Sequence, residues 1–272
     1  MENSDLYADN HHWGEKHVDV RAHDLPALKA RYLLDNLPHT GRVLEIGCGG
    51  GRLLNTIAAF RPQLQLYGCD IRPLRYPPVH FQFDLVSLDN SALPYPAGTF
   101  DAVVMFDALE HFADPAVVLA TAAGVLRPDG RLVSFTPLEG QPLSFYRVFR
   151  RILGDDLYAR TKEHIQAYSE ASLRRLVNRD FEFVDHAYAY HLLGHLMDAT
   201  LFALLVSPRL SKRFWGENPF YADLESPRGG GEQHSPLAAV LRAGNAVAYV
   251  ESRALRRVRH GAAGLLFVAT PR

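Results

Sequence analysis

At 272 residues and a formal net charge of −1, the chain can bury a full core but carries no global basic field to hold nucleic acid. Its two cysteines, Cys48 and Cys69, lack metal-ligand spacing, which indicates a reduced interior and neither a zinc site nor a disulfide framework. The polar, acidic N-terminus shows no charged-then-apolar leader pattern, and no run of about 18 uncharged apolar residues offers a spanning helix.

Residues 1–24 are polar and carry His11, His12, Trp13, His17 and His23. These histidine spacings match no compact ligand pair on a helix, so no metal site is expected and the stretch reads as an arm. From Pro26 to Leu37, Leu28, Tyr32, Leu33 and Leu37 share one face, which predicts an amphipathic helix. Val43, Leu44 and Ile46 then form a short run suited to a buried parallel strand. Gly47, Gly49, Gly50 and Gly51 follow, and Leu53, Leu54, Ile57, Ala58 and Phe60 recur at helical spacing beyond them. The unit is strand, glycine turn, helix. Its free N–H groups and positive dipole end favour a ligand laid against the backbone.

Two ligand classes use such a turn. A dinucleotide fold requires G-x-G-x-x-G. Counted from Gly47, the second glycine falls at Gly49, but Arg52 takes the third place. The pattern that remains is E-x-G-x-G-x-G, from Glu45 to Gly51. A tight βα turn that binds nothing is the alternative.

Leu64, Leu66 and Tyr67 lead to Gly68-Cys69-Asp70, the carboxyl end of a second strand. An acid there is placed to accept both ribose hydroxyls of a nucleoside, with Ile71 and Arg72 beside the adenine. An ordinary turn aspartate is the other reading. Pro73, Pro77 and Pro78 leave little room for a helix before the third strand, expected within Val79–Leu88 and closed by Asp84 or Asp89. Phe100 to Phe106 reads as a central fourth strand ending in D-A-L-E-H-F. Asp114 and Pro115 supply a cap and first position for the next helix, and Arg127–Gly130 a turn before a fifth strand over Arg131–Phe135.

Phe145 to Leu153 is basic and aromatic, most simply a solvated helix face. Ser169 is a plausible cap for a helix over 170–179, and Phe181 to Tyr190 a sixth strand. Leu192 to Val206 is mostly apolar but broken by His195 and Asp198, too short and polar to span a bilayer. Residues 207–236, with R-G-G-G, read as a long loop. Pro236–Arg259 reads as a helix with arginines crowding its end, and Gly264–Ala269 as a last strand.

Five elements in order carry a family resemblance: E-x-G-x-G-x-G, the acid at Asp70, L-P-Y…F-D from Leu93 to Asp101, L-E-H at 109–111, and L-R-P-D-G at 126–130. Together, over residues 40–136, they resemble the class I S-adenosylmethionine (SAM) methyltransferases of the type 11-like group. The resemblance implies an α/β fold, a Rossmann-like doubly wound seven-stranded sheet with an antiparallel last strand. The N-terminal arm would be a lid over residues 1–24, with Tyr7 and Trp13 in it. The SAM-binding core would span 25–190, a helical insertion over the substrate side 191–260, and the final strand 261–272. Glu45, Gly47, Cys48, Gly49 and Gly51 would hold the methionine end, with Asp70, Ile71 and Arg72 at the nucleoside. Asp89, or else Asp84, would take the adenine amino group, with Asn90 alongside. Asp107 and the L-E-H segment would face the methyl group, and His111 and His164 would be the titratable candidates for catalysis. The acceptor would be a small or lipid-like molecule, the setting cytoplasmic with peripheral membrane contact as an option, and nucleic acid no partner. A non-catalytic SAM-binding or partner-binding module, and an NAD(P)-dependent oxidoreductase, are the rival readings.

Overall fold

The computed structural model describes residues 16–74, 76–88, 92–142, 144–145, 164–197 and 236–272. Seven strands form one sheet in the order β3-β2-β1-β4-β5-β7-β6. They are β1 (Gly41–Ile46), β2 (Leu64–Asp70), β3 (Gln82–Leu85), β4 (Phe100–Phe106), β5 (Leu126–Pro137), β6 (Phe181–Ala189) and β7 (Gly264–Pro271). The first five run parallel, and β7 enters antiparallel between β5 and β6. The expected Rossmann-like sheet is therefore present. From β1 the chain winds outward to β2 and β3, then returns to β4 on the other side of β1. That reversal opens a crevice outside the carboxyl ends of β1 and β4.

Both faces of the central strands are buried. On one face, Leu44, Ile46, Val103, Met105 and Leu132 pack with α3 (Pro115–Val125) and α4 (Glu170–Val177). On the other, Val43, Ala102, Val104 and Val133 pack with α1 (Leu25–Asn36) and α2 (Arg52–Phe60). The two-residue period sends alternate side chains to opposite layers, so an internal strand reads as a continuous apolar run. Helix starts are fixed by side chains. Asp24 accepts from the Ala27 N–H, Asp114 from those of Ala116 and Val117, and Ser169 forms a reciprocal capping box with Ser172.

Three boundaries differ from the sequence reading. β3 is confined to Gln82–Leu85, and no helix stands between β2 and β3 among the described residues. β5 begins at Leu126 and runs through the expected turn, because Phe100 pairs with Leu126 and Ala102 with Arg131, a bulge that absorbs Arg127–Gly130. The last helix, α5 (Pro236–Ala254), stops short of Arg259. The Arg256 carbonyl beyond it accepts the Tyr188 N–H of β6. The arginines there also pair outward, Arg257 with Asp185 and Arg259 with Glu170. Residues 192–197 are helical. No helix among the described residues is long and apolar enough to cross a membrane. Residues 1–15 of the arm, with Tyr7, His11, His12 and Trp13, together with Asp89, Asn90, the basic segment after Phe145, residues 198–206 and the 207–235 loop, lie outside the described residues.

Candidate functional site

The glycine turn leaves β1 with three residues in the left-handed region: Gly47 (φ 75°), Gly49 (φ 51°) and Gly51 (φ 81°). A side chain at any of them is strained, which is why glycine recurs here. The turn is fastened to the end of β2, where the N–H groups of Gly47 and Cys48 both donate to the Cys69 carbonyl, at 2.9 and 3.1 Å. Asp70 completes the junction. Its Oδ2 accepts the Gly49 N–H at 2.8 Å and its Oδ1 the Arg72 N–H at 3.1 Å. A Cβ at Gly47 would lie 3.1 Å from that of Ala108, so the turn touches the loop after β4. A Cβ at Gly49 would meet nothing within 4 Å. The crevice is open at that point.

Glu45 is buried at the end of β1, and its Oε2 has no hydrogen-bond partner. Burial pushes its carboxyl well above the usual range, the Asp70 charge adds to this, and the Leu54 N–H opposes it. Burial likewise raises the thiols of Cys48 and Cys69, the latter to about 12. Neither is a nucleophile at neutral pH. These features fit a cofactor with a charged amino-acid end and a ribose: a roomy glycine turn, an acid at the end of β2 and a buried carboxyl with an unused oxygen. Ile71 lies exposed beside Asp70. Asp84, the alternative adenine contact, accepts the Tyr95 hydroxyl, and Tyr95 packs edge-on against Tyr67 and Phe100.

Beyond β4, Asp107 holds φ 49°, and its N–H donates to the Phe135 carbonyl. A non-glycine residue in this region marks local strain. Its Oδ2 accepts from Lys29 Nζ of α1 at 2.6 Å, and the ammonium lies 3.7 Å from the Phe135 ring centroid and 5.0 Å from that of Tyr190. Tyr190 is the other described non-glycine residue with positive φ. Burial acts to lower the Lys29 pKa, but the Asp107 charge and Tyr190 outweigh it, and the ammonium is firmly held. Lys29 carried no sequence signal: it is one of two cations, with Arg31, among the buried positions Leu25, Ala27, Ala30 and Leu33 of α1.

The L-E-H segment forms one 3-10 turn, Leu109–His111. The Glu110 carbonyl accepts the N–H groups of Ile165 and Gln166, both at 2.9 Å. The Tyr168 hydroxyl donates to the Leu109 carbonyl, and the Gly140 N–H to the Tyr168 carbonyl. Segments distant in sequence are thereby tied together at the ends of β4 and β5. The two candidate histidines meet here, with the rings of His111 and His164 4.8 Å apart and edge-on. His164 Nδ1 lies 2.8 Å from Glu139 Oε1, and its Nε2 3.9 Å from Glu110 Oε1. In the neutral ring, a carboxylate on Nδ1 favours the tautomer with its proton there and the lone pair on Nε2. Sequence reasoning placed Glu110 only as part of the L-E-H segment, with no role for its side chain, and gave none to Glu139. Glu110 stands inside a quoted motif, but only the fold shows that its side chain is buried against His164.

Residues 18–187 match a family model described as "Methyltransferase domain". A ubiquinone biosynthesis O-methyltransferase of Albidiferax ferrireducens is 32% identical over 147 residues, which cover 50% of this chain and 57% of that protein. The chain spans about half the length of the curated relatives it matches. Among solved structures, the cyclase SpnF aligns with a TM-score of 0.56 at 18% identity, over 98% of this chain and 92% of that one. A geranyl diphosphate methyltransferase in complex with GPP and sinefungin aligns with a TM-score of 0.52 at 14% identity, over 90% and 78%. At such identities the likeness is one of fold, and its members differ in chemistry. The family match, the strand order and the motifs at Glu45–Gly51 and 109–111 agree: the chain belongs to the methyltransferase domain family.

Proposed function

We propose that the protein binds SAM in the crevice between β1 and β4 and catalyses methyl transfer to a small-molecule or lipid-like acceptor. The observation that carries this reading is the Asp70 junction, an acid at the end of β2 that also fastens the glycine turn through Gly49. When bound, SAM supplies an electrophilic methyl group on a sulfonium, open to in-line displacement. Gly47, Cys48, Gly49 and Gly51 let the ligand approach the backbone, and Glu45 meets the amino-acid end. Asp70 has about four lone-pair sites and spends two on backbone N–H groups, which leaves two for ribose hydroxyls. Ile71 and Arg72 flank the adenine, and its amino group goes to Asp89, beside Asn90, or to Asp84. Asp107 lines the reacting end. Positioning and exclusion of water are the main requirements of such a reaction. His164, oriented by Glu139, or its neighbour His111 is the candidate base for an acceptor hydroxyl. The relatives named for an O-methylation in ubiquinone biosynthesis support an oxygen acceptor on a small molecule. Residues 1–24 serve as lid, 25–190 as cofactor core, 191–260 as an insertion over the substrate side, and 261–272 as the closing strand. The expected setting is cytoplasmic, with membrane contact at most peripheral.

Calorimetric titration with SAM and with NAD tests the cofactor. Heat with SAM alone is expected, and heat with NAD alone would refute the reading. A panel of phenols, quinols, sugars and lipids then tests turnover. Tight SAM binding with silence across the panel would support a non-catalytic module instead.

A further inference from the structure

We propose that Glu110, His111 and His164 bind a divalent transition-metal ion at the mouth of the crevice. One ligand atom from each of the three lies within 4.8 Å of the others. Tetrahedral ligands held at about 2.0–2.2 Å from a metal stand roughly 3.3–3.6 Å apart, so the three donors must close by up to about 1.5 Å, within the reach of side-chain rotation. The Glu110 side chain is 1% exposed, yet neither Oε1 nor Oε2 has a hydrogen-bond partner among the described residues. A buried carboxylate left this way is costly. Its surroundings make the deficit worse, since Asp107 and Glu139 add negative charge and Lys29, the cation acting on it, is bonded to Asp107. A cation between Glu110 and the two rings removes that deficit.

His164 is already set up as a ligand. Glu139 sits on its Nδ1 at 2.8 Å, so Nε2 presents a lone pair on the Glu110 side. A carboxylate behind a histidine in this way fixes the tautomer and strengthens the donor. The backbone supports the geometry: Ile165 and Gln166, next to His164, are both bonded to the Glu110 carbonyl. Two imidazoles and one carboxylate suit zinc, cobalt, iron or manganese rather than magnesium or calcium, and leave open positions for oxygen ligands. The class of ligand for those positions is a hydroxyl, whose pKa falls on coordination and whose proton is released to water. This role toward an acceptor rests on the methyl-transfer reading, whereas the metal site does not. With the ion in place, Nε2 of His164 holds metal instead of a proton, and the ion replaces the histidine as activator of the hydroxyl.

The test uses the full chain, stripped with chelator and titrated with cobalt(II) alone by calorimetry and visible absorption. SAM affinity is measured on the same samples. We expect one ion per chain, a dissociation constant in the micromolar range or tighter, and ligand-field bands. Glu110→Gln and His164→Gln should each weaken binding at least 30-fold, and Glu139→Gln about 10- to 100-fold. SAM affinity should stay within about twofold with and without the ion. No saturable cobalt binding below about 1 mM would overturn the site. So would binding that survives the Glu110 and His164 variants unchanged, which would assign the ion to other residues such as the N-terminal histidines. Because thermal unfolding of each variant is followed in parallel, a loss of binding counts only where the apo variant remains folded. A Glu110→Gln protein no less stable than the apo wild type is expected, since the change removes a buried acid that has no hydrogen-bond partner among the described residues. If SAM fails to bind while cobalt binds as described, the methyl-transfer reading falls and the metal site stands.

Discussion

Replacing Asp70 with alanine separates two jobs that the structure gives one carboxylate. The side chain accepts two backbone N–H groups, from Gly49 and Arg72, at 2.8 and 3.1 Å. Two of its roughly four acceptor sites stay available to a ligand. Two hydroxyls sharing one carboxylate are not additive, so the pair is set at the value of one hydrogen bond to a charged acceptor, about 1.5–3 kcal/mol. At 1.4 kcal/mol per decade, SAM should bind about 10- to 150-fold more weakly to Asp70→Ala. The same factor should hold for S-adenosylhomocysteine, because the two ligands share one ribose and differ at the sulfur. Asp70→Asn keeps one oxygen acceptor and should fall between alanine and wild type. Calorimetry at 25 °C with both ligands gives the ratio directly, with chemical denaturation as the control for a loosened glycine turn. Affinities within twofold of wild type would remove Asp70 from the site. A change confined to one of the two ligands would show that it lies at the reacting end and not at the nucleoside.

Two further outcomes are expected. Lys29→Met, Asp107→Asn and the double variant form a thermodynamic cycle for the ion pair, whose side chains are 14% and 32% exposed. That places the coupling between an exposed pair, up to about 1 kcal/mol, and a fully buried one, so about 1–3 kcal/mol in urea unfolding. Additivity within about 0.5 kcal/mol would show no coupling. Glu45→Gln tests the buried carboxyl at the end of β1. Because its folded pKa is raised, the folded state holds the proton more tightly. The wild type therefore loses stability as pH rises above the unfolded value near 4.3, until the folded pKa is passed. Glutamine has no such equilibrium, so the variant's melting temperature relative to wild type should rise from pH 4 to pH 8. A constant or falling difference would contradict the burial argument.

Much of this architecture was legible because its signals are local. Val43–Ile46, the glycines and the α2 periodicity lie within one short stretch, and the caps at Asp114 and Ser169 announce themselves by residue type. The antiparallel last strand followed from the resemblance, since nothing in Gly264–Ala269 states which strands it joins. The bulge in β5 was missed because R-P-D-G has turn chemistry, and only pairing with β4 draws it into the sheet. Lys29 and Glu139 were invisible for another reason. Each takes its meaning from residues far along the chain: Asp107 with Phe135 and Tyr190 for the lysine, His164 for the glutamate. The histidine pair was guessed residue by residue, but its proximity is a product of the Glu110 carbonyl drawing the 165–166 backbone onto the L-E-H turn.

The position of β7 carries a consequence for biosynthesis. It follows every other strand in the chain, yet it fills the gap between β5 and β6 with antiparallel ladders on both sides. A nascent polypeptide that has emerged only through α5 exposes two raw sheet edges that have no bond to each other. Each is a template for another chain, so ribosome-stalled or prematurely terminated products ending before Gly264 should associate with one another and depend on chaperones.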